Sequence, residues 1–287
     1  MRAVLVYNVK SGGSLTLDQL KEFCRKADID LEGSFSINDS LDANLVSFIK
    51  KGALIIVFGG DGTMNRVAGL LVNTRATLVP LMGGTLNHFA KDLGVSEDIE
   101  YALRSLKNAQ PQKVDVGFVN DKPFINNSSI GLYPTSLRDR KHFEDSIGKW
   151  PAAFVAIIKT LVRFPTYTLE LGKRTVKTPF VFVGNNHYDI DGGGLPVRHS
   201  LKNGTLSVFI AHTTSRFKVV VLAFRTLFGS ARDAEEFETS ELKQLTINTK
   251  HSHLSVARDG EWSRFKAPIH YKIAPKALSV LVGGTKK

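Results

Sequence analysis

The chain has 287 residues, enough to bury a substantial core, and two ordinary domains are expected. Its 38 Lys and Arg against 27 Asp and Glu leave a formal charge of +11, which favours polyanionic partners (nucleotides, nucleic acids, an acidic membrane surface) without choosing among them. Cys24 is the sole cysteine, so internal disulfides and cysteine-rich zinc sites are excluded and a reducing interior is the natural home. The apolar run at 3–7 is too short for a secretory h-region, and no later segment reaches membrane-spanning length, so a soluble, cytoplasmic protein is expected.

In chain order, residues 3–7 read as a strand and 17–27 as an amphipathic helix, followed by a second strand ending near Ser36. Residues 53–58 are apolar throughout, suiting a central strand covered on both faces. A helix over 64–71, a strand over 77–81 and a helix over 99–108, with Ile99, Leu103 and Leu106 on one stripe, continue the alternation of a parallel sheet wrapped by helices. Beyond it the pattern changes. Strands are predicted at 114–119, 124–127, 167–171, 180–184 and 206–211, interrupted by a helical stretch near 152–163. The turn Asn120-Asp121-Lys122-Pro123 marks the boundary. The expected plan is a nucleotide-binding α/β domain over 1–122 and a β-rich substrate domain over 123–287, whose last residues are free to return to the first domain.

Two glycine turns follow directly on strands: Gly59-Gly60-Asp61-Gly62-Thr63, and Gly83-Gly84-Thr85-Leu86-Asn87. Glycine opens backbone angles closed to other residues and lets main-chain N–H groups approach an oxyanion, while a helix N-terminus adds favourable partial charge. Asp61 would repel a phosphate unless it holds a divalent ion or meets donors, which points to a nucleotide with magnesium. Ligands of open parallel sheets collect outside the carboxyl ends of the strands, so these turns and a third loop at Asn8-Val9-Lys10-Ser11-Gly12-Gly13 should converge on one crevice.

These residues resemble the diacylglycerol kinase catalytic superfamily, which includes sphingosine kinases and bacterial soluble lipid kinases. Asn8 to Gly13 looks like its Asn-Pro-x-Ser-Gly loop, with Val9 where proline is usual; Gly59 to Thr63 is identical to its Gly-Gly-Asp-Gly-Thr motif; the stretch from Gly84 to Gly94 is similar to a further glycine segment, with His88 where the family has an aspartate; and Asp259-Gly260-Glu261 matches its Asp-Gly-Glu. The resemblance implies an N-terminal α/β domain shared in plan with NAD kinases, a C-terminal β-sandwich, and catalysis in a cleft between them. It implies ATP and Mg²⁺ as cofactors, with Asn8, Ser11, Gly12, Gly59, Gly60, Asp61, Gly62, Thr63, Asn65, Gly84, Thr85 and Asn87 on the nucleotide, Ser36 on its ribose or adenine side, and Asp61 organising the metal. Asp259 and Glu261 are the catalytic candidates, either of which could take the acceptor proton. Read alone, Asp259-Gly260 is a common exposed turn, and Asp259→Asn is expected to abolish turnover while leaving the melting temperature nearly unchanged.

The implied reaction moves the γ-phosphoryl group of ATP to a lipid hydroxyl, on diacylglycerol or a sphingoid base. An NAD kinase and a catalytically silent nucleotide or lipid sensor are the alternatives. Asn203 stands where related kinases carry a metal-binding aspartate, and a hairpin turn accounts for it better than a metal does. His251 and His253 alternate on a predicted strand but have no third ligand. The segments 150–163 and 216–225 combine bulky apolar residues with bases, as an interfacial helix or an ordinary core helix does. Transient contact with an anionic membrane, at its inner face, is the expected route to the acceptor. No nucleic-acid motif is evident.

Overall fold

The computed structural model describes residues 1–8, 15–131, 166–171, 174–189, 198–211 and 237–284. Ser11, Gly12 and Asp191, with the segments 150–163 and 216–225, lie outside the described residues. Two compact units divide the chain: Met1–Val116 with the C-terminal segment beginning at Ala274, and Gly117–Ile273.

The first unit runs β1 (Arg2–Tyr7), α1 (Leu17–Lys26), β2 (Asp30–Ser36), α2 (Leu41–Lys51), β3 (Leu54–Gly59), α3 (Asp61–Leu71), β4 (Thr77–Met82), α4 (His88–Asp92) and α5 (Ile99–Ser105). The strands pair in parallel in the order β2-β1-β3-β4. Crossover connections force parallel pairing here, and both sheet faces must then be covered, which is why β3 is apolar and buried from Ile55 onward. The helix α1 is started by a capping box: Gln19 N–H donates to Thr16 Oγ1 and Thr16 N–H to Gln19 Oε1. Its Leu20 and Cys24 then join Leu5, Phe58, Ile99 and Leu103 in one core.

Sequence and structure differ in detail. The α3 helix starts at Asp61, three residues earlier than expected, so the acid lies in its first turn. The helix over 99–108 ends at Ser105 and continues as a 3₁₀ turn, Leu106–Asn108. The helix α2, which buries Leu41 and Leu45, goes beyond the sequence expectation, and Ser40 at its N-cap makes no side-chain hydrogen bond.

The second unit is antiparallel. After β5 (Gln112–Val119) come β6 (Lys122–Phe124), β7 (Asn127–Gly131), β8 (Tyr167–Leu171), β9 (Arg174–Thr178), β10 (Phe180–Asn185), β11 (Leu206–Ala211), β12 (Phe237–Leu242), β13 (Gln244–Asn248), β14 (His253–Arg258), β15 (Glu261–Lys266) and β16 (Ile269–Val280). One sheet has the order β12-β11-β10-β7-β14-β15. The opposing set pairs β9 with β8, β8 with β13, and β13 with the first half of β16. Ile130, Val181, Val208 and Val256 of the first sheet pack with Leu169, Val176, Ile247 and Tyr271 of the second in one buried cluster, a two-sheet arrangement of inward-facing apolar positions. The expected strand over 124–127 is broken: Ile125 and Asn126 lie between β6 and β7. The second half of β16 belongs to the first unit, where Ser279 and Val280 pair in parallel with Thr77 and Leu78.

Candidate active site

In the first unit, the carboxyl ends of β1, β3 and β4 bring Asn8 and the two glycine turns together. β3 passes into α3 through Gly60, the extended N-cap residue at φ −82°. Gly83 N–H donates to Gly59 O at 3.1 Å, binding the two glycine turns together. The glycines are needed for proximity, and this corrects the sequence expectation: positive φ falls at Gly52, Gly94, Gly131, Gly204 and Gly260 among the described glycines, not in these turns. A Cβ on Gly83 would lie 2.7 Å from Gly59 N, and one on Gly84 would lie 2.4 Å from Gly60 Cα, where no side chain fits.

Polar side chains fasten the same place. Asn8, just past β1, donates its backbone N–H to Phe58 O at 2.9 Å and its Nδ2–H to Thr63 Oγ1 at 3.1 Å. Asn87, left-handed at φ 52°, accepts Gly84 N–H on Oδ1 at 2.9 Å and returns Nδ2–H to Gly84 O at 2.7 Å. Asp61 Oδ1 accepts the Phe89 N–H at 3.4 Å. Thr63, Asn65 and Asn87 are buried, and Asn65 Oδ1 has no donor among the described residues, so a buried acceptor there is open to a ligand. Gly62, Thr85 and His88 are exposed. Ser36 is engaged in the turn after β2, where its N–H donates to Asp39 Oδ2 and its Oγ accepts from Asn38 N–H. Arg66, which sequence reasoning passed over, ties α3 to that turn by donating to Ile37 O at 2.7 Å.

In the second unit, Asp259 and Gly260 form the two-residue connection of the β14–β15 hairpin, with Arg258 paired to Glu261. Both have positive φ, 46° and 84°, the backbone such tight hairpins require. Asp259 is not an exposed turn residue. It is 8% exposed, and its carboxylate accepts three backbone N–H groups: Ile125 on Oδ2 at 2.8 Å, and Asn126 and Asn127 on Oδ1 at 2.8 and 3.0 Å. Its own N–H donates to Asn127 O. Burial pushes its carboxyl up to about 6, outweighing the three N–H bonds and the nearby Arg258 guanidinium, which pull it down. Glu261 is exposed.

The Ile125 to Asn127 segment is held from its other side as well. Arg198, 4% exposed, donates from Nη1 to Ile125 O at 2.7 Å and Asn185 O at 3.1 Å, and from Nη2 to Asn126 Oδ1 at 3.0 Å. Tyr188 Oη donates to Asn126 O at 3.0 Å. An arginine preceded by a glycine loop carries no signal of burial in the sequence.

Among the described residues, those of the first glycine turn fit magnesium. Asp61 is the single acid of the glycine turns, and Mg²⁺ is commonly held by one or two carboxylates plus substrate phosphates. The Asn203 site does not fit: it is exposed and neutral, its N–H is engaged with Asn186 Oδ1, and neighbouring Thr205 donates to Glu241. Among the described residues no three His, Cys, Asp or Glu side chains cluster as metal ligands. His253 opens β14, whereas His251 lies before the strand, so the two do not alternate along it.

Residues 2–119 match the family model of the diacylglycerol kinase catalytic domain. Over the whole chain, two Staphylococcus aureus proteins, of strains MSSA476 and MW2, both called "Putative lipid kinase", are each 25% identical, covering 96% of this chain and 92% of their own. The fold is that of a diacylglycerol kinase structure from Bacillus anthracis str. Sterne (TM-score 0.68, 21% identity, covering 98% of this chain and 97% of that one). A second structure from the same organism, called a putative diacylglycerol kinase, has a TM-score of 0.73 at 23% identity with the same coverage. The class is thus defined by its fold, an α/β unit with an antiparallel β unit. Over residues 2–119 the chain is similar in sequence to diacylglycerol kinase catalytic domains, and over nearly its whole length it has the fold of those two structures.

Proposed function

We propose that the protein is an ATP-dependent lipid kinase that transfers the γ-phosphoryl group to the hydroxyl of a lipid such as diacylglycerol or a sphingoid base. The observation that carries this reading is the pair of glycine turns packed backbone to backbone at the N-terminus of α3. Such a surface offers main-chain N–H groups and helix partial charge to phosphates while excluding side chains. Asn8, Thr63 and Asn87 hold its shape, and the open Asn65 acceptor suits a nucleotide amine or hydroxyl. Asp61 is the residue to hold Mg²⁺, which would neutralise charge across the phosphates.

Phosphoryl transfer asks little of the protein beyond positioning and a group to take the hydroxyl proton. Asp259 suits that role. Its three N–H bonds occupy three of about four lone-pair positions on the carboxylate, which leaves one to accept a proton. A carboxyl near pH 6 is ionised yet still basic at neutral pH. The net positive charge supports contact with an anionic membrane surface, where the acceptor resides.

The test is incubation of purified protein with labelled ATP, magnesium and a panel of lipids, with NAD alongside. A labelled lipid that disappears in Asp61→Asn supports the reading; labelled NADP, or no product at all, rejects it. Glu261→Gln separates the two acids, since it should keep activity if Asp259 is the base.

A further inference from the structure

Three N–H groups on one buried carboxylate are unusual, and the peptide units that supply them are themselves polarised. The unit joining Ile125 to Asn126 donates its N–H to Asp259 Oδ1 at 2.8 Å and accepts Arg198 Nη1–H on its oxygen at 2.7 Å. The next unit, Asn126 to Asn127, donates to Asp259 Oδ1 at 3.0 Å and accepts the Tyr188 hydroxyl at 3.0 Å. A charged donor on a carbonyl oxygen makes the N–H of that same peptide a stronger donor, and chains of hydrogen bonds strengthen one another in a low dielectric.

We propose that Arg198 is a positioning residue for Asp259, acting through the Ile125 to Asn127 turn: its guanidinium fixes that turn and polarises the peptide N–H groups that hold the carboxylate. Tyr188 reinforces it on the second peptide unit. The claim deepens the kinase reading and rests on it for the role of Asp259. Among the described residues, the charged neighbour felt by the carboxylate is Arg258 of its own hairpin. Arg258 donates to Pro123 O, and Glu261 is exposed. Neither touches the peptide oxygens. Arg198 and Tyr188 also stack, the guanidinium 5.5 Å from the ring centre, so the two donors hold each other's place.

The experiment is a ¹³C titration of the aspartate carboxyls in the full chain, with the Asp259 signal identified by its loss in Asp259→Asn. Arg198→Met removes the charge and keeps much of the volume. It should raise the Asp259 midpoint by about one pH unit, because a carboxylate loses part of its cationic support, and the acid limb of kcat/KM should move up in step. Tyr188→Phe should move both in the same direction by less, and it is the arm to read if Arg198→Met does not fold, since Asn126 O keeps the Asn185 N–H. An unmoved Asp259 midpoint in whichever of these variants is folded overturns the relay. Lipid phosphorylation surviving in Asp259→Asn would instead overturn the kinase role of that residue, leaving the titration result standing.

Discussion

Gly84→Ala tests the proposed phosphate cradle at the closest contact between its two glycine turns. The added Cβ would lie 2.4 Å from Gly60 Cα against an ordinary contact of at least 3.4 Å, so the two backbones must part by 3.4 − 2.4 = 1.0 Å. Neither side yields easily: Gly60 caps α3, and Gly84 is clamped by Asn87 through two hydrogen bonds. Overpacking of this kind costs about 1–3 kcal/mol, which corresponds to roughly 3–10 °C in the melting of the first unit. The functional effect should exceed the stability effect. Displacing donors by about 1 Å lowers turnover roughly 100-fold, and calorimetry with a non-hydrolysable ATP analogue should find affinity reduced by at least about tenfold. Gly284→Ala is the control, since nothing lies within 4 Å of its added Cβ. Unchanged nucleotide affinity and melting in Gly84→Ala would refute the argument that backbone proximity builds the site.

If Asp259 is the base, as proposed, it sets the pH dependence. With a base that titrates at about 6, kcat/KM should fall about tenfold between pH 7 and pH 5, and a profile flat to pH 5 would remove Asp259 from the role. Its folded value lies above the ordinary 3.8, so the folded protein holds this proton more tightly. Its contribution to stability is therefore full below about pH 4 and is lost as pH rises through about 6. Asp259→Asn should lower the melting temperature as well as turnover, contrary to the sequence expectation, because the amide NH₂ must face a backbone N–H that the carboxylate now accepts; an unsatisfied buried donor costs about 1–3 kcal/mol. Thr63→Val removes the bond from Asn8 Nδ2 and should cost about 1 kcal/mol, read by denaturant midpoint, with weaker nucleotide binding. Burial pushes the Cys24 thiol up to about 11, so a thiol reagent at pH 8 should label it only after unfolding.

Much of the plan is legible in the residues because each signal is local. The apolar run into Gly59 and the turn after Met82 announce strand ends, and Thr16 with Gln19 announces a helix start. What escapes is non-local. Asp259 reads as a surface turn because the N–H groups that bury it come from Ile125 to Asn127, more than 130 positions away. Arg198 is invisible for the same reason. The start of α3 is misplaced because glycines at 60 and 62 argue against helix by propensity, whereas packing against Gly83 and Gly84 holds the first turn in place.

One consequence concerns synthesis. The strand that borders β4 leaves the ribosome long after it, with Ser279 beside Thr77 and Leu281 N–H on Leu78 O. Until then the apolar edge Thr77–Met82 stands open through the making of nearly two hundred further residues and can recruit a foreign strand. A fragment cut to residues 2–119, the span of the family match, would keep that edge bare permanently, and should be isolated as aggregate rather than as a minimal kinase domain.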